Sequence, residues 1–299
     1  MLEFKCVSKE YGRRQRAALR EVTFSAQPGE ILGLVGLNGA GKTSSIRIAS
    51  GVALATAGDV LVEGHSITKE KASASRYIGW VPEAPVHDNG ATIGRLIRYY
   101  AGISGLNPAE GADAQLRIWG IEPLRNRIFR TLSLGERKRF ALAVACIHDP
   151  LHYLLDEVFN GLDPTAVAQV REWMFVQRNA RKGLLVSSHQ LREVQAIADR
   201  VAILHEGRLL RLIRAEDVPT SRLRRLQITF APTDRAAIDL LSTFGKVEQG
   251  RGSVTLSGEA IDGGVVNRAL VQAGYVVSRL EAADPDLETF FLRLIAETD

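Results

Sequence analysis

Between residues 31 and 50 the chain changes character twice. The apolar run Ile31 to Val35 gives way to Gly36-Leu37-Asn38-Gly39-Ala40-Gly41-Lys42-Thr43, and a helical pattern follows from Ser44 to Ser50. A short apolar run ending in glycines reads as a buried parallel strand. The octapeptide satisfies G-x-x-x-x-G-K-[ST] at every position, and a strand before with a helix after is the context that gives that pattern meaning. Glycines let backbone N–H groups turn toward phosphate oxygens with no Cβ in the way, and the helix N-terminus behind them adds partial positive charge. Gly36, Asn38, Gly39, Ala40, Gly41, Lys42, Thr43 and Ser44 therefore read as a cradle for nucleotide phosphates. Lys42 is placed to reach the β- and γ-phosphates, and the Thr43 hydroxyl to bind Mg²⁺. The bland alternative is a glycine-rich turn with a surface lysine; the flanking strand and helix argue against it.

A second apolar run, Leu151 to Leu155, is interrupted only by His152 and ends in Asp156-Glu157. A strand that delivers adjacent carboxylates beside a phosphate loop suits nucleotide hydrolysis. Asp156 would hold Mg²⁺, directly or through water, and Glu157 would polarise the attacking water as general base. Alone, an Asp-Glu pair is usually a solvated turn. After a buried strand, in a chain with a phosphate loop, the balance reverses.

The length of 299 residues favours two domains, taking about 150 residues per domain as a soft guide. Up to about residue 215 the pattern is α/β. Glu3 to Val7 and Glu21 to Ala26 alternate like strands of an antiparallel edge sheet. Tyr153 to Leu155, Leu184 to Ser187 and Val201 to Leu204 read as buried strands, with helical patterns over Ala166 to Asn179 and Gln190 to Ala198 between them. That alternation is the mark of a parallel core sheet. From Thr92 to Ile147 the pattern is mostly helical, an inserted lobe. A boundary falls near Pro219 to Ser221, giving domains 1–218 and 221–299. Beyond it come strand Leu226 to Phe230, helix Arg235 to Phe244, strands Lys246 to Gln249 and Ser253 to Leu256 around Gly250-Arg251-Gly252, helix Val265 to Ala273 and strand Tyr275 to Leu280. This β-α-β-β-α-β order is the ferredoxin-like split motif of an α+β domain, and an amphipathic helix near Leu287 to Ala296 closes the chain.

Five further motifs stand in fixed order around the two already described. Tyr11 precedes the phosphate loop, and Glu83 lies in Trp80-Val81-Pro82-Glu83. Leu132-Ser133-Leu134-Gly135-Glu136 comes before the carboxylate pair, with Gly161-Leu162-Asp163-Pro164 and then Ser187-Ser188-His189 after it. Each has a bland reading alone: a packed tyrosine, an ordinary helix start, a structural histidine. Chance does not readily produce all of them in one order. On these residues, over about Leu2 to Ala215, the sequence resembles the nucleotide-binding subunits of ATP-binding cassette (ABC) transporters. The resemblance implies a P-loop ABC ATPase domain with a parallel core sheet, an antiparallel edge sheet and an inserted helical lobe, followed by the small ferredoxin-like domain.

It also implies roles. Tyr11 stacks on adenine. Glu83 stands where the family has glutamine, near the γ-phosphate and Mg²⁺. Ser133 and Gly135 belong to the signature loop, Asp163 to the D-loop, and His189 is the switch histidine. Lys42, Glu157 and His189 carry catalysis, with ATP and Mg²⁺ as cofactors. In the family two such subunits face head to tail, and the signature loop of one grips the nucleotide on the phosphate loop of the other. Closure then requires the γ-phosphate and hydrolysis releases it. The partners implied are a second ATPase subunit and a separate membrane permease. One copy has every part for two competent sites, so a homodimer suffices, and a heterodimer stays open. The tail Pro285-Asp286-Leu287-Glu288-Thr289-Phe290-Phe291-Leu292-Arg293 and Glu83 both resemble the branch of drug and sodium exporters. Leu134, Glu136, Val158 and Phe159 depart from the usual pattern.

Composition narrows the alternatives. Charged residues make up 24% and the net charge is +4, a balance that fits nucleotide, nucleic acid or an anionic membrane surface equally. Cys6 and Cys146 are too few and too far apart for a disulfide framework, so a reducing compartment is expected. No stretch approaches the roughly 20 apolar residues of a membrane span. The place implied is cytoplasmic, held peripherally on the inner face of the membrane by the permease. A soluble cassette ATPase acting on ribosomes or DNA is the alternative, but translation-type relatives pair two cassettes in one chain and repair-type ones carry a long coiled coil. A simple kinase or GTPase would lack the signature loop. Arg13-Arg14-Arg16 and Arg222-Arg224-Arg225 are short and lack interleaved aromatics, so they read as solvated faces and no nucleic-acid partner is expected.

Overall fold

A computed structural model describes all residues except 13–15, 89, 106–107, 218–223, 251–252, 259–260, 284–286 and 297–299. The expected boundary at Pro219 to Ser221 lies outside the described residues. So do Arg13, Arg14 and Arg222 of the basic clusters, Arg251 and Gly252 of the hairpin turn, and Pro285 and Asp286 of the tail. The chain divides into two compact units, Met1–Ala215 and Glu216–Asp299.

In the first unit β1 (Leu2–Tyr11), β2 (Arg16–Ala26) and β3 (Ile31–Val35) lead into α1 (Lys42–Ala49), β4 (Ala57–Val62) and β5 (His65–Ser66). α2 (Lys71–Ser75) and β6 (Ile78–Val81) follow. Then come α3 (Ile93–Ile103), α4 (Pro108–Ile118) and α5 (Leu134–Cys146), which make the helical lobe. β7 (His152–Asp156), α6 (Pro164–Asn179), β8 (Gly183–Ser188), α7 (Leu191–Gln195), β9 (Arg200–His205) and β10 (Arg208–Arg214) complete the unit. One sheet has the order β2-β1-β4-β5, all pairs antiparallel. The other has the order β10-β9-β3-β8-β7-β6, parallel except for β10. The helix expected over Gln190 to Ala198 is shorter. Asp199 bonds Ile31 through both its amide (2.9 Å, to the carbonyl) and its carboxylate (2.8 Å, from the amide), which draws the chain out of the helix and into β9.

The parallel sheet decides where chemistry can sit. β3 and β7 are buried at every residue. Leu154 faces one apolar cluster and Leu155 the other, on opposite sides of β7. Each such burial stabilises the strand by about 1.5–3 kcal/mol, and together they fix the point at which Asp156 emerges. Parallel strands all present their carboxyl ends to one edge, where open α/β sheets place their ligands.

The second unit comprises β11 (Arg224–Ala231), α8 (Arg235–Ser242), β12 (Lys246–Gln249), β13 (Val254–Gly258), α9 (Gly263–Gln272), β14 (Val276–Ala283) and α10 (Leu287–Ala296). Its antiparallel sheet has the order β12-β13-β11-β14, over a core that includes Ile228, Leu241, Leu256, Val266 and Leu270.

Candidate nucleotide-hydrolysis site

Four segments reach one cleft from that carboxyl edge. The glycine loop leaves β3, Glu83 follows β6, Asp156 ends β7 with Glu157 directly after it, and His189 follows β8. The cleft has a volume of about 570 Å³ and is lined by Tyr11, residues 38–44, Glu83, Glu157 and His189, together with Ala17, Ala18 and Asn160.

The loop glycines are demanded by both space and conformation. At Gly41 φ is 108°, and a Cβ would lie 2.5 Å from the Ala18 carbonyl oxygen. Gly36 does not line the cleft; its missing Cβ lets the loop pass Leu204, whose carbonyl oxygen would otherwise be 2.4 Å away. No side chain caps the start of α1. Its first amides are therefore unclaimed donors at the positive end of the helix dipole, which is a site for an anion.

Lys42 is 6% exposed. Its ammonium donates to the carbonyls of Gly36 (2.7 Å) and Leu37 (3.3 Å) and lies 3.9 Å from Glu157 Oε1. Burial pulls its pKa down, against the opposing pull of Glu157, Asp156 and Glu83. Asp156 is 1% exposed. Its Oδ1 accepts hydrogen bonds from Ser187 Oγ at 2.6 Å and Thr43 Oγ1 at 3.3 Å. Burial raises its pKa and Glu83 and Glu157 raise it further, while the Ser187 and Thr43 hydrogen bonds act the other way. An anionic carboxylate so placed is under-compensated, which suits a cation. Hydroxyl and carboxylate oxygens are the hard donors that Mg²⁺ takes.

Glu157 has φ 47°. That left-handed conformation costs a residue with a side chain about 1–2 kcal/mol. It is held in place: the Glu157 amide donates to the Ser187 carbonyl (3.2 Å) and to Ser187 Oγ (3.1 Å). Its Oε2 lies 2.9 Å from His189 Nδ1 and 3.4 Å from Asn160 Nδ2. Tyr11 ends β1 with 44% of its surface exposed, and the Lys9 ammonium sits 4.9 Å from its ring centre.

Ser133, Gly135 and Asp163 lie elsewhere and do not line this cleft. Ser133 caps α5 in a capping box: its hydroxyl accepts from the Glu136 amide (3.2 Å), and Glu136 Oε2 accepts from the Ser133 amide (2.7 Å). The departure at Glu136 thus has a structural reason, strengthened by Arg127, which donates to Glu136 Oε1 at 3.0 Å. Leu134 lies over Gly161, where an added Cβ would come within 2.3 Å of Leu134 Cδ2. Asp163 caps α6 through the Ala166 amide (2.9 Å) and pairs with Arg139 (3.2 Å). The segments expected to be signature loop and D-loop are therefore packed together in one chain.

Three residues escaped sequence reasoning. Ser187 puts a hydroxyl near the end of a buried apolar strand, which was the available signal. Asn160 had none. Lys138 falls on the buried stripe of α5 with Ala141, Leu142 and Ala145, a charge where an apolar residue belongs. Its ammonium donates to the carbonyls of Pro82, Asp156 and Glu157, and burial pulls its pKa down to about 8.

Known proteins are similar to this chain in sequence and fold. The sequence pattern described as "ABC transporter" matches residues 19–160. The ABC transporter ATP-binding protein YhcH of Bacillus subtilis is 32% identical, across 100% of this chain and 97% of its own length. The bacitracin transport ATP-binding protein BcrA of Bacillus licheniformis is 28% identical, across 97% of this chain and 95% of its own. A solved ATP-binding subunit of an ABC transporter superimposes with a TM-score of 0.68 at 30% identity, covering 73% of this chain and 91% of that one. A cassette solved as a dimer with ADP and phosphate shares the fold at 22% identity, with a TM-score of 0.67 over 72% of this chain and 99% of its own. With a phosphate loop and a carboxylate pair at the carboxyl edge of this sheet, the chain belongs to the ATP-binding, ATP-hydrolysing subunits of the ABC transporter family.

Proposed function

We propose that this chain works as a Mg²⁺-dependent homodimer that drives export through a separate membrane permease. The observation that carries the reading is the division of labour on its surface: phosphate loop, Glu83, Glu157 and His189 share one cleft, Asp156 lies just behind it against Thr43, and Ser133 and Gly135 stand outside it. A second copy facing the first would bring its signature loop to the nucleotide.

In this reading adenine stacks on Tyr11 and the triphosphate lies along the loop. Lys42 exchanges its bonds to Gly36 and Leu37 for phosphate oxygens. Thr43, Asp156 and Glu83 hold Mg²⁺, which supplies positive charge to the β- and γ-phosphate oxygens. Among the described residues no group of three or more His, Cys, Asp or Glu could hold a metal, but Mg²⁺ at phosphates needs only one or two carboxylates. Glu157 accepts the proton of the attacking water, and His189 keeps its carboxylate turned into the cleft. Asp163 holds the D-loop of each copy against its own signature helix.

Among the described residues no helix is long and apolar enough to cross a membrane, and the reading assigns the span to the permease. Val86, Tyr99 and Ile103 are 78%, 62% and 66% exposed, which supports residues 83–103 as its docking surface and a place on the inner membrane face. The second unit acts as an accessory domain of the ferredoxin-like kind. Export as the direction rests on the resemblance of Glu83 and the tail to the exporter branch. Purification from the native membrane in mild detergent tests the reading. A co-purifying multi-span membrane protein supports it; ribosomes or nucleic acid in its place would contradict it.

A further inference from the structure

Lys138 is 0% exposed, in the middle of the helix that Ser133 caps. A lysine ammonium has three N–H donors, and here they go to three main-chain carbonyls: Pro82 at 2.9 Å, Asp156 at 3.2 Å and Glu157 at 3.1 Å. Two separate segments are thereby fastened at one point. Pro82 precedes Glu83, and the other two carbonyls belong to the carboxylate pair itself. Burial of an ammonium is unfavourable even when it is well bonded, and an apolar side chain of similar volume generally serves stability as well or better. The rest of the stripe shows that the helix packs with apolar residues, since Phe140, Ala141, Leu142 and Ala145 are all buried.

The backbone of Glu157 gives a second, independent reason. At φ 47° it sits in a conformation that relaxes unless both flanking peptide groups are held. Ser187 holds its amide, and Lys138 shares its carbonyl with the Asn160 amide at 3.2 Å. Without the ammonium that carbonyl keeps only the Asn160 amide, a bond within the same turn, so the Glu157 backbone is more weakly held and its side chain less firmly kept in the line of attack.

We propose that Lys138 is a positioning residue for hydrolysis, pinning the left-handed backbone of Glu157 and the Pro82–Glu83 segment so that the base and the neighbouring carboxylates keep one spacing. It acts through Glu157, so the proposal rests on the reading of Glu157 as the base. The phosphate loop is built from other residues, so nucleotide binding should change far less than the rate.

Lys138→Met and Lys138→Gln in the full chain test this, with ATPase rates measured over a range of Mg-ATP at fixed protein concentration and folding checked by thermal melting. A small misplacement of a catalytic group costs up to about 100-fold, so Lys138→Met is expected to lose about 10- to 100-fold in kcat. Its KM should stay within about threefold, because the phosphate loop is untouched. Lys138→Gln keeps two N–H donors on a shorter stem and should recover most of the rate, ending about three- to tenfold below wild type. The proposal is overturned if both variants hydrolyse within about twofold of wild type, or if kcat and nucleotide affinity collapse together in folded protein. Should Lys138→Met not fold, Lys138→Gln decides alone: a kcat loss of about threefold or more at unchanged KM supports the proposal, and a wild-type kcat contradicts it. Glu157→Gln, run alongside, separates the two readings. If it stalls hydrolysis while the Lys138 variants do not, only the positioning role fails. If it hydrolyses normally, the base reading fails first.

Discussion

Lys42 opens α1 with 6% of its surface exposed, whereas Leu134 opens α5 with 50% exposed. Both helices start at glycine-bearing loops, but their first turns are finished differently. α1 has no side-chain cap, and the ammonium nearest to it is occupied with the loop's own carbonyls. α5 is closed by a reciprocal capping box and packed against the D-loop. The first end is left open for a phosphate to complete. The second is complete without any ligand and stands pre-formed on the surface. In the proposed dimer, one chain would bind ATP and the remaining contacts to its γ-phosphate would come from another.

Lys42→Ala strikes the first loop and should have the largest effect. Loss of a charge at the developing phosphoryl transition state costs about 10²–10³-fold or more in rate, and binding should fall with it, as titration with a fluorescent ATP analogue would show. Ser133→Arg strikes the second loop with bulk at the N-terminus of α5. ATP binding by the single chain should stay within about twofold, while hydrolysis falls by about 10²-fold. Were binding to fall as well, the two loops would not be independent and the comparison would break. Tyr11→Ala sharpens the first half. Stacking contributes about 0.5–1.5 kcal/mol beyond area, so ATP affinity should drop by up to about tenfold with little change in maximal turnover.

The smallest effect concerns the segment behind Glu83. His87 packs edge-on against Phe129 and Phe140 and lies 2.8 Å from the Tyr100 hydroxyl. Burial pulls its pKa from 6.5 to about 4. The native state thus keeps it neutral while the unfolded chain protonates it, so its contribution to stability is present above pH 6.5 and is lost as pH falls toward 4. The melting temperature of His87→Leu should therefore fall less than that of wild type between pH 7 and pH 5, by a few degrees.

The phosphate loop and carboxylate pair were legible because each sits at the end of a short, wholly buried strand, and both strand and glycine pattern are local. β10 was not. Arg208, Arg211 and Arg214 recur every third residue, which imitates a helix, and the strand is fixed by pairing with β9. β6 was missed because it has four residues, one of them Gly79 packed against the Ala145 carbonyl. β4 hides Gly58 at φ 75° beside Asp59, turn residues by composition. In the second unit the order of elements was readable from alternating pattern and turns, as in α8 and β12. In the site, Lys138 and Ser187 stand out in sequence only as polar groups on apolar elements, and their partners were out of reach. Their roles consist of bonds to Pro82, Asp156 and Glu157, segments that only the folded sheet brings together.

If two chains complete one site, blocking hydrolysis with Glu157→Gln should trap the pair. The substitution keeps size and shape but removes proton acceptance, which typically costs about 10²–10⁴ in rate. Lys42, Thr43 and Asp156 remain, so ATP still binds, and one negative group near the γ-phosphate is gone. Size exclusion of the variant with ATP, with ADP and without nucleotide reads the outcome. A dimer is expected with ATP only, persisting because hydrolysis no longer releases the signature loop. A variant that binds ATP, fails to hydrolyse it and still elutes as a monomer at high concentration would contradict a site completed by two chains.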